Sequence, residues 1–228
     1  MKKFSIRFPV RIAAFLMMLT ILCCSPAYAD SNLGVGEISA AEQTLLYTQY
    51  EAIAAEVSAE SGYAIHVRPL GEMDSFLTAS QFRQEAEEFA RILSTEQRSV
   101  SAVSSSVTRG ENGNGPWQGT VEHTQTRTYE SGSIIVNIKF TGLFNVIVNG
   151  MGGYKLDSWS IPRPIATTNN SEFYLVYDGD FVVTRIDSGR TIYGSQDFIA
   201  YYGGYFYTNM TCGVHCTFNK TTGKVTMY

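Results

Sequence analysis

Histidine and cysteine are scarce in this chain, three and four among 228 residues. No metal-ligand array, phosphate-binding loop or nucleophile signature is built from them, so the sequence calls for no cofactor and no metal. No apolar run reaches the roughly 20 residues that a membrane-spanning helix needs. A basic stripe is also missing, which excludes the phosphate neutralisation that nucleic-acid binding depends on. No internal repeat of fixed length occurs.

What is present begins at the N-terminus. Lys2, Lys3, Arg7 and Arg11 form a positive segment, and no acidic residue precedes Asp30. Residues 12–22 are apolar, and Ala27-Tyr28-Ala29 supplies small residues at a cleavage position. This order predicts a secretory signal over residues 1–29, cut between Ala29 and Asp30, and hence an extracellular protein without a membrane span. Cys23 and Cys24 raise lipid anchoring as a rival. Leu22 stands where lipoprotein processing wants a small residue, so free secretion is preferred. The signal holds four of the 17 basic residues and none of the 21 acidic ones, which leaves the remainder at −8.

Cys212 and Cys216 then remain, and outside the cytoplasm such a pair is expected to form a disulfide. Four residues of extended strand span about 13 Å, whereas bridged Cα atoms lie within about 7 Å. The bond therefore requires a turn, which Gly213 would permit.

Residues 30–98 read as an acidic helical module. Ser39-x-x-Glu42 is a capping box, in which serine and glutamate each satisfy a free backbone N–H. Leu46, Tyr50, Ile53 and Val57 share one helical face, and Gly62 suits the left-handed end of the helix. A short strand over residues 63–68 follows, stopped by Pro69. A second helix spans residues 79–93; Thr78 or Ser80 can cap it, Thr78 forming a T-x-x-Q box with Gln81, and its apolar face is Phe82, Ala86, Phe89 and Leu93. Residues 99–115 are rich in Ser, Gly and Asn and predict a flexible linker.

Within residues 40–93, Leu46-Tyr47-x-x-Tyr50-Glu51-x-Ile53, Gly62-Tyr63-x-Ile65-x-Val67-x-Pro69 and Ser80-Gln81-Phe82 together resemble uncharacterised secreted proteins of Gram-positive bacteria. The resemblance implies export and an envelope setting, with no activity attached.

Residues 116–228 predict eight or nine strands. Val, Ile, Thr, Tyr and Phe runs are punctuated by Asn149-Gly150, Asp178-Gly179, Ser188-Gly189, Gly203-Gly204 and Thr222-Gly223. Asp178-Gly179 predicts a type I′ hairpin turn between residues 173–177 and 180–185; Gly203-Gly204 predicts another turn or a bulge. The fold class is therefore α+β, an N-terminal helix-strand-helix module followed by an antiparallel β-sandwich or barrel.

Candidate chemistry is thin. Thr211-Cys212 in a β-rich exported chain resembles the Thr-Cys of sortases, which implies a cysteine transpeptidase or hydrolase using Cys212 with His123. That family also needs an arginine, and only Lys220 and Lys224 follow Cys212. Cys212-x-x-His215-Cys216 has too few ligands for zinc. Asp178, Asp180 and Asp187 lack the spacing of a calcium loop and the cleft geometry of a glycosidase. His66 reads as a surface residue. Gly115-Pro116-Trp117 is similar to the G-x-W of lipocalins, although a tryptophan packing the end of a sheet explains it as well.

Aromatic residues are the compositional surplus. Residues 116–228 hold both tryptophans and ten of the 14 tyrosines. Tyrosine keeps its hydroxyl wet while burying its ring, which suits binding surfaces. Tyr201, Tyr202, Tyr205 and Tyr207 alternate across their strands and predict a contact surface. The expectation is a secreted, non-catalytic protein binding glycan or protein at the cell envelope. The alternatives are the cysteine enzyme and a secreted toxin or bacteriocin-like effector.

Overall fold

A computed structural model describes residues 33–34, 38–101, 104–108, 117–148, 154–186 and 190–228. The signal segment with Ala29 and Asp30, and most of the linker around residue 110, lie outside the described residues.

The two helices form where their caps place them. Helix α1 spans Ala40–Ser61; Ser39 and Glu42 make both halves of the capping box, and Gly62 closes the helix at φ 78°. Helix α2 spans Ala79–Ser94 and carries the same box between Thr78 and Gln81. Tyr50, Ala54 and Val57 of α1 are buried, as are Phe82, Ala86, Phe89 and Leu93 of α2. Tyr50 and Phe82 stack with centroids 3.8 Å apart, and the Tyr50 hydroxyl donates to the Leu77 carbonyl. No helix among the described residues is long and apolar enough to cross a membrane.

Short strands thread around the helices: β1 (Leu33–Gly34) pairs with β3 (Ser75–Phe76), and β2 (His66–Val67) lies between them in sequence. The rest is antiparallel β. One sheet contains β4 (Gln97–Val100) and β5 (Ser104–Thr108), which both pair with β6 (Trp117–Tyr129). Strand β6 pairs with β7 (Ile134–Val148), whose far side takes β8 (Tyr154–Ser160) and β9 (Ile165–Thr168). The other sheet runs β10 (Phe173–Ile186), β11 (Thr191–Tyr202), β12 (Phe206–Phe218) and β13 (Val225–Met227). The α+β fold is thus helices first, then antiparallel strands.

Alternation along each strand sends one set of side chains inward. Ile134, Val136, Ile138 and Phe140 of β7 meet Ile192, Phe198, Met210 and Val214 of the opposite sheet in one buried cluster. At Gly142 the sheets approach so closely that a Cβ would lie 2.8 Å from the Met227 Cε of the opposite sheet. The cluster also includes the helical core. Phe82 and Phe89 of α2 lie 4.8 and 6.0 Å from Phe206 of β12, and β2 pairs with β12 through Val67 and His66. The helices and the sheets therefore share a core.

Two local expectations change. Residues 99–100 and 104–108 lie in strands along β6, although the serine-rich composition of residues 99–115 predicts a flexible connection; the edge of β6 supplies the hydrogen bonds that the segment cannot satisfy alone. Asp178-Gly179 does not reverse the chain. Gly179 takes φ 67°, but β10 continues through a bulge, with Asp178 opposite Asp197 and Val182 opposite Ser195. The buried Gln196 holds the bulge by donating to the carbonyls of Asp178 and Asp197, at 3.2 and 2.8 Å. β11 is long enough to pair with both halves, so a positive-φ glycine serves as a bulge residue here. Gly203 and Gly204, at φ 62° and 86°, do make the turn between β11 and β12.

Candidate functional site

Four aromatic side chains from four strands share one register row on the outer face of the second sheet. Tyr174 of β10 is opposite Tyr201 of β11, Tyr201 is opposite Tyr207 of β12, and Tyr207 is opposite His66 of β2. The Tyr174 and Tyr201 rings lie 5.1 Å apart at 15°, Tyr201 and Tyr207 5.8 Å apart at 45°, and Tyr207 and His66 5.0 Å apart at 28°. Directly opposed side chains on an antiparallel pair are spaced for such contact. Arg68 places its Cζ 4.9 Å from the Tyr201 centroid and pairs with Glu72 at 3.4 Å. Its backbone N–H donates to the Tyr205 carbonyl at 2.9 Å, and its Nε is buried without a partner among the described residues.

The row is half wet. The three tyrosines are partly exposed and His66 is exposed. No group among the described residues hydrogen-bonds the hydroxyls of Tyr174, Tyr201 or Tyr207, in contrast to Tyr205, whose hydroxyl meets Ser75 Oγ at 2.7 Å. Partial burial, then the nearby Glu72 carboxylate, raises the Tyr201 pKa, so the phenol stays protonated and can donate.

Of the four tyrosines that the sequence singles out, Tyr201 and Tyr207 face outward and Tyr202 and Tyr205 do not. Tyr202 stacks on Phe89 at 5.2 Å and 6°, and Tyr205 meets the edge of Phe82 at 6.3 Å. These two join the helices to the sheet. Tyr174, His66 and Arg68 complete the row and were not assigned to a binding surface by sequence. His66 and Arg68 alternate on the polar side of a short strand, which is a visible signal; nothing local connects them to a strand 140 residues later.

Cys212 and Cys216 are free thiols, both buried, which corrects the expected disulfide. Strand β12 continues through Gly213, which pairs with Ser195 in unbroken register. Four residues of such a strand keep the two Cα atoms about 13 Å apart. Burial raises both thiol pKa values, that of Cys216 to about 12. At Cys212 the rise is opposed by Arg127 of β6, whose Nη2 donates to the sulfur at 3.2 Å and to the Thr211 carbonyl at 2.9 Å. Arg127 Nη1 meets Glu96 at 2.8 Å. Burial pushes the Glu96 pKa up, yet Arg98 and Arg127 together bring it below the usual carboxylate range. A cleft of about 300 Å³ opens beside this group, lined by Arg98, Gln125, Arg127 and Cys212 among others.

An arginine thus does reach Cys212, but from 85 residues upstream in sequence. The imidazole does not. His123 is 2% exposed, and neither ring nitrogen has a hydrogen-bond partner among the described residues, so Cys212 and His123 make no thiol–imidazole pair. His215 faces away from both cysteines, stacked on Tyr228 at 5.7 Å and 4.8 Å from Tyr193. No three His, Cys, Asp or Glu side chains among the described residues gather as a metal site. Asp178 borders the β10 bulge and Asp180 lies within it, 3.9 Å from Arg163; Asp187 and the Trp117 side chain lie outside the described residues.

No family model matches the chain, and no curated protein and no solved structure is similar to it.

Proposed function

We propose that the chain is a secreted, non-catalytic protein that binds glycan at the cell envelope through the row formed by Tyr174, Tyr201, Tyr207 and His66. The observation that carries the proposal is the register row itself, which lines up three tyrosine hydroxyls and an imidazole on the outer face of the sheet. Stacked rings have little rotamer freedom left to lose on binding, and a glycan offers many weak hydrogen-bonding groups along its length. Arg68 over Tyr201 adds a fixed donor. Export rests on the basic, apolar and small-residue order of residues 1–29.

A glycan-array and cell-wall retention assay on the chain from Asp30 onward tests this. Tyr201→Ala and Tyr207→Ala each reduce retention by about tenfold, the equivalent of 1.4 kcal/mol. Tyr174→Ala gives the same direction. Failure to bind any envelope fraction overturns the proposal. Against the cysteine-enzyme alternative stand the buried Cys212 sulfur, its raised pKa and the unpartnered His123, because a thiol acts as a nucleophile through its thiolate form.

A further inference from the structure

A second site lies at the opposite end of the same sheet. β11 runs from Thr191 to Tyr202, which places its start roughly 30 Å from the tyrosine row at about 3.4 Å per residue. There the beginning of β8 meets the ends of β10 and β12 around a cleft of about 360 Å³, within the size range of small-ligand sites, about 300–1,000 Å³. Lys155, Arg185, Arg190 and Lys220 line it, and Asp157 is the one carboxylate among the described residues of its lining. Trp159, 7% exposed, contributes an apolar wall.

The concentration of cations runs against the rest of the molecule. Among the described residues, Lys155, Arg185 and Lys220 outnumber Asp157 and leave the lining net positive, whereas the chain after residue 29 carries −8. Lys155, Arg185 and Lys220 form no ion pair with a carboxylate among the described residues. Like charges that outnumber the counter-charges beside them repel, and a cleft lined mostly by one sign focuses its field on an incoming anion. The walls are tied together by backbone. Tyr154 N–H donates to the Lys220 carbonyl at 3.0 Å, and the Phe218 N–H to the Arg190 carbonyl at 2.9 Å. The Tyr154 ring packs onto Gly223, where a Cβ would come within 2.9 Å of it. Arg185 Nη2 reaches the Trp159 carbonyl at 3.5 Å, from one sheet to the other.

We propose that this cleft binds a small organic polyanion, a ring-shaped body bearing phosphate or carboxylate groups. The lysines and arginines take its charges, and the indole of Trp159 lies against the ring. The site is independent of the tyrosine row, so either can fail without the other.

Isothermal titration of the chain from Asp30 onward, with tryptophan fluorescence of the Trp117→Phe variant, which leaves Trp159 as the sole emitter, as a second readout, tests the proposal using inositol hexakisphosphate, digalacturonate and neutral cellobiose. At least one anion binds, more weakly as salt rises, and cellobiose leaves the cleft untouched. Arg185→Gln combined with Lys220→Gln weakens the anion by about tenfold or more, whereas Arg163→Gln, outside the cleft, does not. Preference between the phosphate and the carboxylate probe identifies the ligand's acidic group. If the double variant fails to fold, Lys155→Gln, at an exposed position, replaces it. Binding of neither anion overturns the proposal, and so does binding that the cleft variants leave unchanged or that Arg163→Gln weakens equally.

Discussion

Arg127 and Cys212 face each other between the two sheets, with the guanidinium Nη2 3.2 Å from the sulfur and 2.9 Å from the preceding carbonyl. The same guanidinium holds Glu96 at the end of α2. One side chain thus ties both sheets and the helical segment together, and it gives the inter-sheet core a charged edge beside the buried thiol.

Arg127→Met removes three hydrogen bonds and leaves Glu96 half-buried without its closest cation. Breaking such a pair by deleting one partner costs about 3–5 kcal/mol when it is fully buried. Glu96 retains Arg98 at 2.9 Å, so a loss of about 2–3 kcal/mol is expected. Urea denaturation monitored by circular dichroism gives the value. A loss below about 0.5 kcal/mol, the range of ordinary surface substitutions, would show that Arg127 ties nothing together.

Free thiols locked in a strand have a distinct chemical signature. The intact mass of the native protein is the same with and without reductant, and iodoacetamide labels Cys212 and Cys216 only after denaturation. Burial sets this behaviour by holding both groups as thiols at neutral pH, where alkylation needs thiolate. Rapid labelling of Cys212 in the native protein would restore the cysteine-enzyme alternative.

Phe82 is fully buried between Tyr50 and Phe206. Phe82→Ala should cost about 3–5 kcal/mol, the usual range for a buried phenylalanine. Because helices and sheets share one core, far-UV and near-UV signals should still lose structure at the same denaturant concentration. Two separated transitions would mean that the helical segment folds alone.

His123 sets an acid limit on stability. Burial lowers its pKa, so between that value and the unfolded value near 6.5 the unfolded chain binds more protons than the folded one. Its contribution is complete above about pH 6.5 and is lost as pH falls toward the folded pKa, at a slope of up to about 1.4 kcal/mol per pH unit. The lowered pKa of Glu96 acts in a separate window, below its ordinary value of 4.5. His123→Leu should flatten the profile just below pH 6.5, to within about 0.3 kcal/mol. An unchanged slope in the variant would assign the titration to another group.

The helices were legible because their determinants are close in sequence. Ser39 with Glu42, Thr78 with Gln81 and Gly62 act over one turn, and the apolar spacing of Phe82, Ala86 and Phe89 defines a face without reference to any partner. Period-two alternation likewise marked β7 and split Tyr201, Tyr202, Tyr205 and Tyr207 between two faces, without telling which face is outward. The errors fell where a distant strand decides. A serine-rich segment became strand because β6 offered it an edge, and Asp178-Gly179 became a bulge because β11 and the side chain of Gln196 accommodate it.

Local chemistry therefore fixed which segments are helical, which positions along a strand share a face, and that the aromatic surplus lies in the second half of the chain. The tertiary structure alone decided that Tyr174, Tyr201, Tyr207 and His66 stand in one row, that Arg127 rather than His123 meets Cys212, and that four cations surround one cleft. The physical reason is register: a strand's own sequence specifies its two faces, whereas the residue that stands opposite it depends on pairing across long stretches of chain.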